Sequence, residues 1–434
     1  MTEKTKKAPR AANFELLRIA AMGMVIVLHY LSRAQALVSP DAPLSAVRLL
    51  GTALEALSIA AVNVYVLLSG YFLVEAGFRL RRLLYLLCEI LFYTVGIPLV
   101  LWAAGLPVQT LPLSGGGIWS LVPGVFPILT EHYWFATAYV LMLLFTPALN
   151  IGLRALSRRQ LQGMLGGLLF FFCLVKSVSP VPFVTDHSGY DFGWFLCLYT
   201  IAAYVRRFGV PWAEHTANGA KWTGTGTESG RKKAGSGAAA VCSAAADGTA
   251  CGGGQGNGNA GARRKTRRRA LALYLVSAAG IFLWPLVFWI LQRRVGADLS
   301  YAAGISFHYN FVLALTAALG LFALFQSVRI PEGRAARFIR RLAPCTFGVY
   351  LIHENIELRD RWFPFVTALT NPSGGAARNP ALFLLQLAVC VVLVYAVCAA
   401  IDAARQAIFW AAGRALARTR LGRALRRLDD ETAA

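Results

Sequence analysis

Residues 13–30 read NFELLRIAAMGMVIVLHY, and this stretch decides the fold class. Between Arg18 and His29 every residue is apolar or glycine, so the segment is a helix that water does not solvate. A helix rises about 1.5 Å per residue, so the apolar run can enter a hydrocarbon layer roughly 30 Å thick. The preceding residues are basic and no small-residue cleavage site closes the run. The reading is an uncleaved first membrane span rather than a signal peptide.

The rest of the chain repeats the pattern. Over 434 residues, 57% are hydrophobic and only 15% are charged, which excludes an ordinary soluble enzyme. Apolar runs at 14–37, 49–74, 83–104, 133–153, 161–178, 190–208, 270–292, 302–326, 343–363 and 381–403 predict an all-α polytopic membrane protein of about ten transmembrane helices.

Charge fixes the orientation. Lys and Arg exceed Asp and Glu by 43 to 21, a net +22 that in a soluble chain would suggest nucleic acid. Placed on the predicted spans, 35 of those cations fall on one side, which puts both termini in the cytoplasm and leaves no role for nucleic acid. Residues 1–208 are expected to form a first membrane half, and 270–403 a second. Between them, 209–269 is rich in Gly and Ala and ends in Arg263-Arg264-Lys265-Thr266-Arg267-Arg268-Arg269. It reads as a disordered basic cytoplasmic linker lying against anionic lipid, and 404–434 as a basic cytoplasmic tail.

An ionisable group at membrane depth costs roughly 2.5–3.5 kcal/mol, so those that occur there point to function. His29 follows Arg18 by eleven residues, which returns the helix to within about 20° of the same face and places His29 about 16 Å deeper. Arg18 sits at headgroup level and His29 near the midplane. The pair suits an elongated anionic cosubstrate whose reactive end meets an imidazole base. A structural alternative is a snorkelling Arg18 and a His29 bonded to a neighbouring helix.

Arg79 and Arg82 open the third span as i,i+3 neighbours, a natural phosphate clamp or a positive-inside anchor. Glu89 lies on the Arg82 side one layer deeper, as a partner for an arginine or as a support for a base. Ser69 and Gly70 permit close approach of a ligand or another backbone. His132 and Trp134 stand at the outer boundary, and Tyr350 and His353 on the ninth span are expected to border a vestibule for an acceptor.

His353-Glu354 with Glu357 lacks the second histidine of a zinc protease, and the eight cysteines contain no C-x-x-C spacing, so no metal is expected. Without a G-x-S-x-G elbow in a plausible place, serine hydrolysis has no support either. A proton-coupled transporter or flippase of a glycan or lipid substrate is the alternative, with buried His and Glu as the relay.

The opening segment resembles that of the integral-membrane acyltransferase-3 family, in which a basic residue, ten intervening residues and a histidine mark the first helix. The segments VYVLLSGYFL, FRLRRLLYL, HYWFATAYVLMLLFTPAL and TFGVYLIHE are similar to the family's later blocks, in the same order. The resemblance implies a membrane O-acyltransferase that moves an acyl group, commonly acetyl from acetyl-CoA, to a hydroxyl of a surface glycan or lipid-linked saccharide. It implies His29 as the catalytic base or a transient acyl carrier, and Arg18, Arg79 and Arg82 as ligands of the donor's phosphates. The implied partners are acyl-CoA, the glycan acceptor and the bilayer, at the cytoplasmic membrane. The sequence specifies no oligomeric state.

Overall fold

A computed structural model describes residues 10–111, 117–130, 132–179, 181, 187–210, 256–371 and 375–432. The described residues form helices and turns without strands, and the protein is an all-α polytopic membrane protein.

The first half holds α1 (Ala12–Arg33), α2 (Ala46–Ser58), α3 (Ala61–Leu73), α4 (Leu80–Ala103), α5 (Val122–Val125), α6 (Trp134–Ala155), α7 (Arg158–Leu169), α8 (Lys176–Val178) and α9 (Phe192–Phe208). The second half holds α10 (Gly256–Val295), α11 (Ser300–Gly304), α12 (Val312–Ser327), α13 (Arg334–Leu342), α14 (Thr346–His353), α15 (Trp362–Thr370), α16 (Pro380–Leu416) and α17 (Arg420–Thr432).

Helix boundaries follow local chemistry. The Ser45 hydroxyl caps α2 by accepting from the Arg48 N–H, Ser157 and Gln160 close a reciprocal capping box on α7, and the Asp191 and Asn379 side chains cap α9 and α16. Helices α2 and α3 make one pass broken at Ile59–Ala60, while a π-helical segment, Phe170–Val175, joins α7 to α8. Helix α3 packs against α9 at Gly70, where a Cβ would stand 2.8 Å from the Ala202 Cβ. Another backbone, rather than a ligand, therefore occupies that face.

Among the described residues, eight helical stretches are long and apolar enough to cross a membrane. They match eight of the expected ten. Helix α9, with 17 residues, is almost wholly buried among its neighbours and fills the sixth position. The ninth differs in kind: the expected continuous helix over 343–363 is two short helices, α14 and α15, separated by turns at 354–361.

The polar sequence ENIELRDR explains that break, because backbone freed from a helix at membrane depth must find partners in the protein. Asn355 Oδ1 accepts from the Glu357 N–H at 3.0 Å, and its Nδ2 donates to the Tyr133 hydroxyl at 2.8 Å. Glu357 Oε1 accepts from the Gln109 N–H, the Thr110 N–H and the Thr110 hydroxyl, each at 2.8 Å. These side chains tie the turn to Tyr133 and to residues 109–110.

Two other boundaries move. The linker expected over 209–269 lies outside the described residues from 211 to 255, but 256–269 are helical and open α10, so the arginine run there is the start of a membrane helix. The tail expected from 404 is helical as well. α16 runs 37 residues, about 55 Å, and ends at Leu416.

Candidate active site

The first helix and the broken one meet at two histidines. His29 Nδ1 lies 2.9 Å from His353 Nε2 and 3.1 Å from Glu354 Oε1. The His353 side chain is buried and its Nδ1 lies 2.6 Å from the Val349 carbonyl, one turn earlier in α14. A carbonyl only accepts, so Nδ1 of His353 carries a proton and, in the neutral ring, Nε2 is a bare acceptor. The proton between the rings then belongs to His29 Nδ1. It follows that His29 Nε2 holds a lone pair, the state a base needs.

Glu354 sits between two cationic or titratable partners. Arg33, one turn after His29, donates from its Nη2 to Glu354 Oε1 at 3.1 Å and lies over the Trp362 ring at 4.9 Å. Trp362 Nε1 in turn donates to the His353 carbonyl at 3.1 Å. The His29 side chain retains 22% of its exposure, so the group is enclosed without being sealed.

The other expected site residues separate into three places. Arg18 donates to both oxygens of Glu15, at 2.9 and 3.0 Å, while its carbonyl accepts from the Tyr65 hydroxyl at 2.7 Å. Arg79 and Arg82 come together at the α3–α4 junction. There they border a shallow open-sided recess with Phe78, Leu83, Leu143 and Thr146, and Arg18 is not among its lining residues.

Glu89 has an arginine as partner. It pairs at 2.9 Å with Arg405 of α16, which also pairs at 2.9 Å with Asp402. Asp402 accepts from the Tyr93 hydroxyl and from Gln406 Nε2, both at 2.7 Å, and Arg405 donates to the Tyr85 hydroxyl. This cluster ties α4 to α16 and lies apart from the histidine pair.

Ser69, one turn before the end of α3, accepts from the Tyr139 hydroxyl at 3.2 Å. Tyr350 packs against Tyr133, Phe135 and His353. Trp134 stacks on Tyr309 and tilts against Tyr190, which is exposed. His132 does not line open space: its Nδ1 donates to the Pro123 carbonyl at 3.0 Å, and its Nε2 accepts from the Ile356 N–H at 3.4 Å. Burial pushes its pKa below the ordinary imidazole value.

Sequence reasoning missed Glu354 as a partner of His29 with Arg33 behind it, and Arg405 as the partner of Glu89 with Asp402 behind it. The available signal was charge inside apolar surroundings: Glu354 directly follows His353, and Asp402 and Arg405 are i,i+3 neighbours within an apolar helix.

The acyltransferase-3 family model, described as an acyltransferase domain, matches residues 12–403, which contain every one of these groups except Arg405 and Gln406. No curated protein and no solved structure matches the chain.

Proposed function

The chain belongs to the acyltransferase-3 family and is a membrane acyltransferase, and on that premise we propose that it moves an acyl group, acetyl first, from acyl-CoA to a hydroxyl of a cell-surface or lipid-linked glycan. The observation that carries this reading is the hydrogen bond from His29 to His353, which leaves His29 Nε2 as a base at the centre of an acyltransferase.

The chemistry balances with the groups at hand. His29 Nε2 removes the proton from the acceptor hydroxyl as its oxygen attacks the thioester carbonyl. The imidazolium so formed has Glu354 Oε1 at 3.1 Å from its Nδ1 to stabilise it. The tetrahedral intermediate then collapses, the carbon–sulfur bond breaks, and the proton on Nε2 passes to the leaving thiolate. The products are an ester and the free thiol. His353 keeps the ring of His29 in the productive tautomer, and Arg33 orients Glu354.

Donor binding is assigned to Arg79 and Arg82, which stand together beside a shallow recess where two guanidiniums suit a phosphate-bearing end rather than the whole molecule. Arg18, held by Glu15, supplies a further cation at the cytoplasmic end of α1. Trp134 and the exposed Tyr190 offer ring faces of the kind that stack on a sugar at the acceptor side. The cytoplasmic membrane is the location that this donor and the charge distribution favour.

Thiol release from acetyl-CoA by the purified protein in lipid nanodiscs, with a panel of candidate glycans, tests the reading. Release that needs both an acceptor and His29 supports it. Near-normal turnover by His29→Ala would remove His29 as the base, and substrate movement across vesicles without donor consumption would replace the enzyme by a transporter.

A further inference from the structure

We propose that His29, His353 and Glu354 form a binding site for one divalent cation of the first transition row, zinc above all, and that its occupation switches the base off. The first half of this rests on the donor atoms alone, whereas the second rests also on the acyl-transfer reading.

His29 Nδ1, His353 Nε2 and Glu354 Oε1 all lie within 4.8 Å of one another, with His29 Nδ1 at 2.9 and 3.1 Å from the other two. Zinc holds nitrogen and oxygen ligands at about 2.0–2.2 Å in a tetrahedron, so its ligand atoms stand roughly 3.3–3.5 Å apart. The two distances from His29 Nδ1 need to lengthen by only a few tenths of an ångström, and a rotation of the Glu354 side chain brings the third edge, which is within 4.8 Å, to the same length, so that the trio supplies three corners of the tetrahedron and leaves the fourth open to water.

The surroundings match a metal site in a second respect. A zinc-bound histidine ordinarily donates its other N–H to a carbonyl or carboxylate, and His353 already donates from Nδ1 to the Val349 carbonyl. Two imidazoles and a carboxylate are a donor set suited to zinc. Arg33 opposes the ion, because its guanidinium contacts the same Glu354 oxygen at 3.1 Å. The arginine therefore weakens the site and makes occupation depend on metal concentration.

Occupation has a chemical consequence for His29. Coordination takes the lone pair of Nδ1, so the single proton of the neutral ring must reside on Nε2. The atom that accepted a proton becomes one that donates, and the base is lost without any change of fold.

Chelator-treated full-length protein in nanodiscs is titrated with Zn²⁺, with binding read by metal quantitation and with Co²⁺ absorption as a report of coordination geometry. One ion per chain and a tetrahedral cobalt spectrum are expected. Binding should weaken by about tenfold or more in His353→Ala and Glu354→Gln and tighten in Arg33→Gln, a reversal that general unfolding cannot produce. Unchanged binding in these variants overturns the site.

In the same preparations Zn²⁺ should inhibit thiol release, EDTA should restore it, and sensitivity should follow the binding order of the variants. Binding without inhibition, or activity that requires the metal, overturns the switch while leaving the site standing. A protein that binds zinc at these residues but transfers no acyl group disproves the proposed reaction and not the site.

Discussion

Gly348 of α14 and Asp402 of α16 approach so closely that a Cβ on residue 348 would overlap the Asp402 carboxylate. The carboxylate is itself fixed by Tyr93, Arg405 and Gln406, so it cannot retreat. Gly348→Ala should therefore displace α14, costing about 1–3 kcal/mol by overpacking and moving His353, five residues on, away from His29. A clear drop in the melting temperature in nanodiscs together with reduced acyl transfer is the expected result. Unchanged stability would show that the two helices are free to separate.

The same carboxylate belongs to a second prediction. Arg405 has a side chain only 2% exposed and lies between Glu89 and Asp402. Its replacement by Met would leave two buried acids without their cation, and breaking a buried pair in this way costs about 3–5 kcal/mol. Adding Glu89→Gln and Asp402→Asn should return part of the loss, because no unpaired charge then remains. Equal melting temperatures for Arg405→Met and wild type would disprove a structural role for the cluster.

His132 gives the fold a dependence on pH. Burial holds its pKa below the ordinary 6.5 in the folded state, so the unfolded chain takes up a proton there first. Its contribution is complete above about pH 6.5 and declines as the pH falls further. Wild type should thus lose more stability between pH 7.5 and 5.5 than His132→Gln, measured by thermal unfolding. Parallel curves for the two proteins would place the sensitivity elsewhere.

Arg79 and Arg82 face the donor in the proposed reaction. Arg79→Ala and Arg82→Ala should each raise the KM for acetyl-CoA by about tenfold or more, as the loss of a charged hydrogen bond of about 1.5–3 kcal/mol implies, with kcat within a few-fold of wild type. A fall in kcat at unchanged KM would mean that these arginines act on the chemical step instead.

Local patterns in the sequence carried much of this molecule and missed a definite part. The spans were legible because a bilayer demands about 20 apolar residues, and the proximity of Arg79 and Arg82 because helical neighbours recur every three or four positions. The break at 354–361 was not, since hydropathy counts the polar residues of ENIELRDR without revealing that Tyr133, Thr110 and His132 would satisfy them. The helical start of α10 was hidden by its glycine-rich approach, and the extension of α16 by the charges after 403.

At the site, the spacing of Arg18 and His29 described one helix, whereas the side chains that contact the His29 ring, His353 and Glu354, come from α14 and the turn after it. His29 and His353 are 324 residues apart, and no periodicity relates residues at that distance. Glu89 illustrates the same limit. The sequence left it as a partner for an arginine or a support for a base, and its partner is Arg405, within a segment that composition assigned to a tail.

The separation of His29 from His353 also orders events during synthesis. His29 enters the membrane with α1, while the groups that set its proton arrive only with α14, where His353 stands 324 residues later. A ribosome-bound or C-terminally shortened chain that lacks α14 carries the histidine without its orientation. In the proposed reaction the protein would therefore be chemically silent until α1 and α14 have found each other.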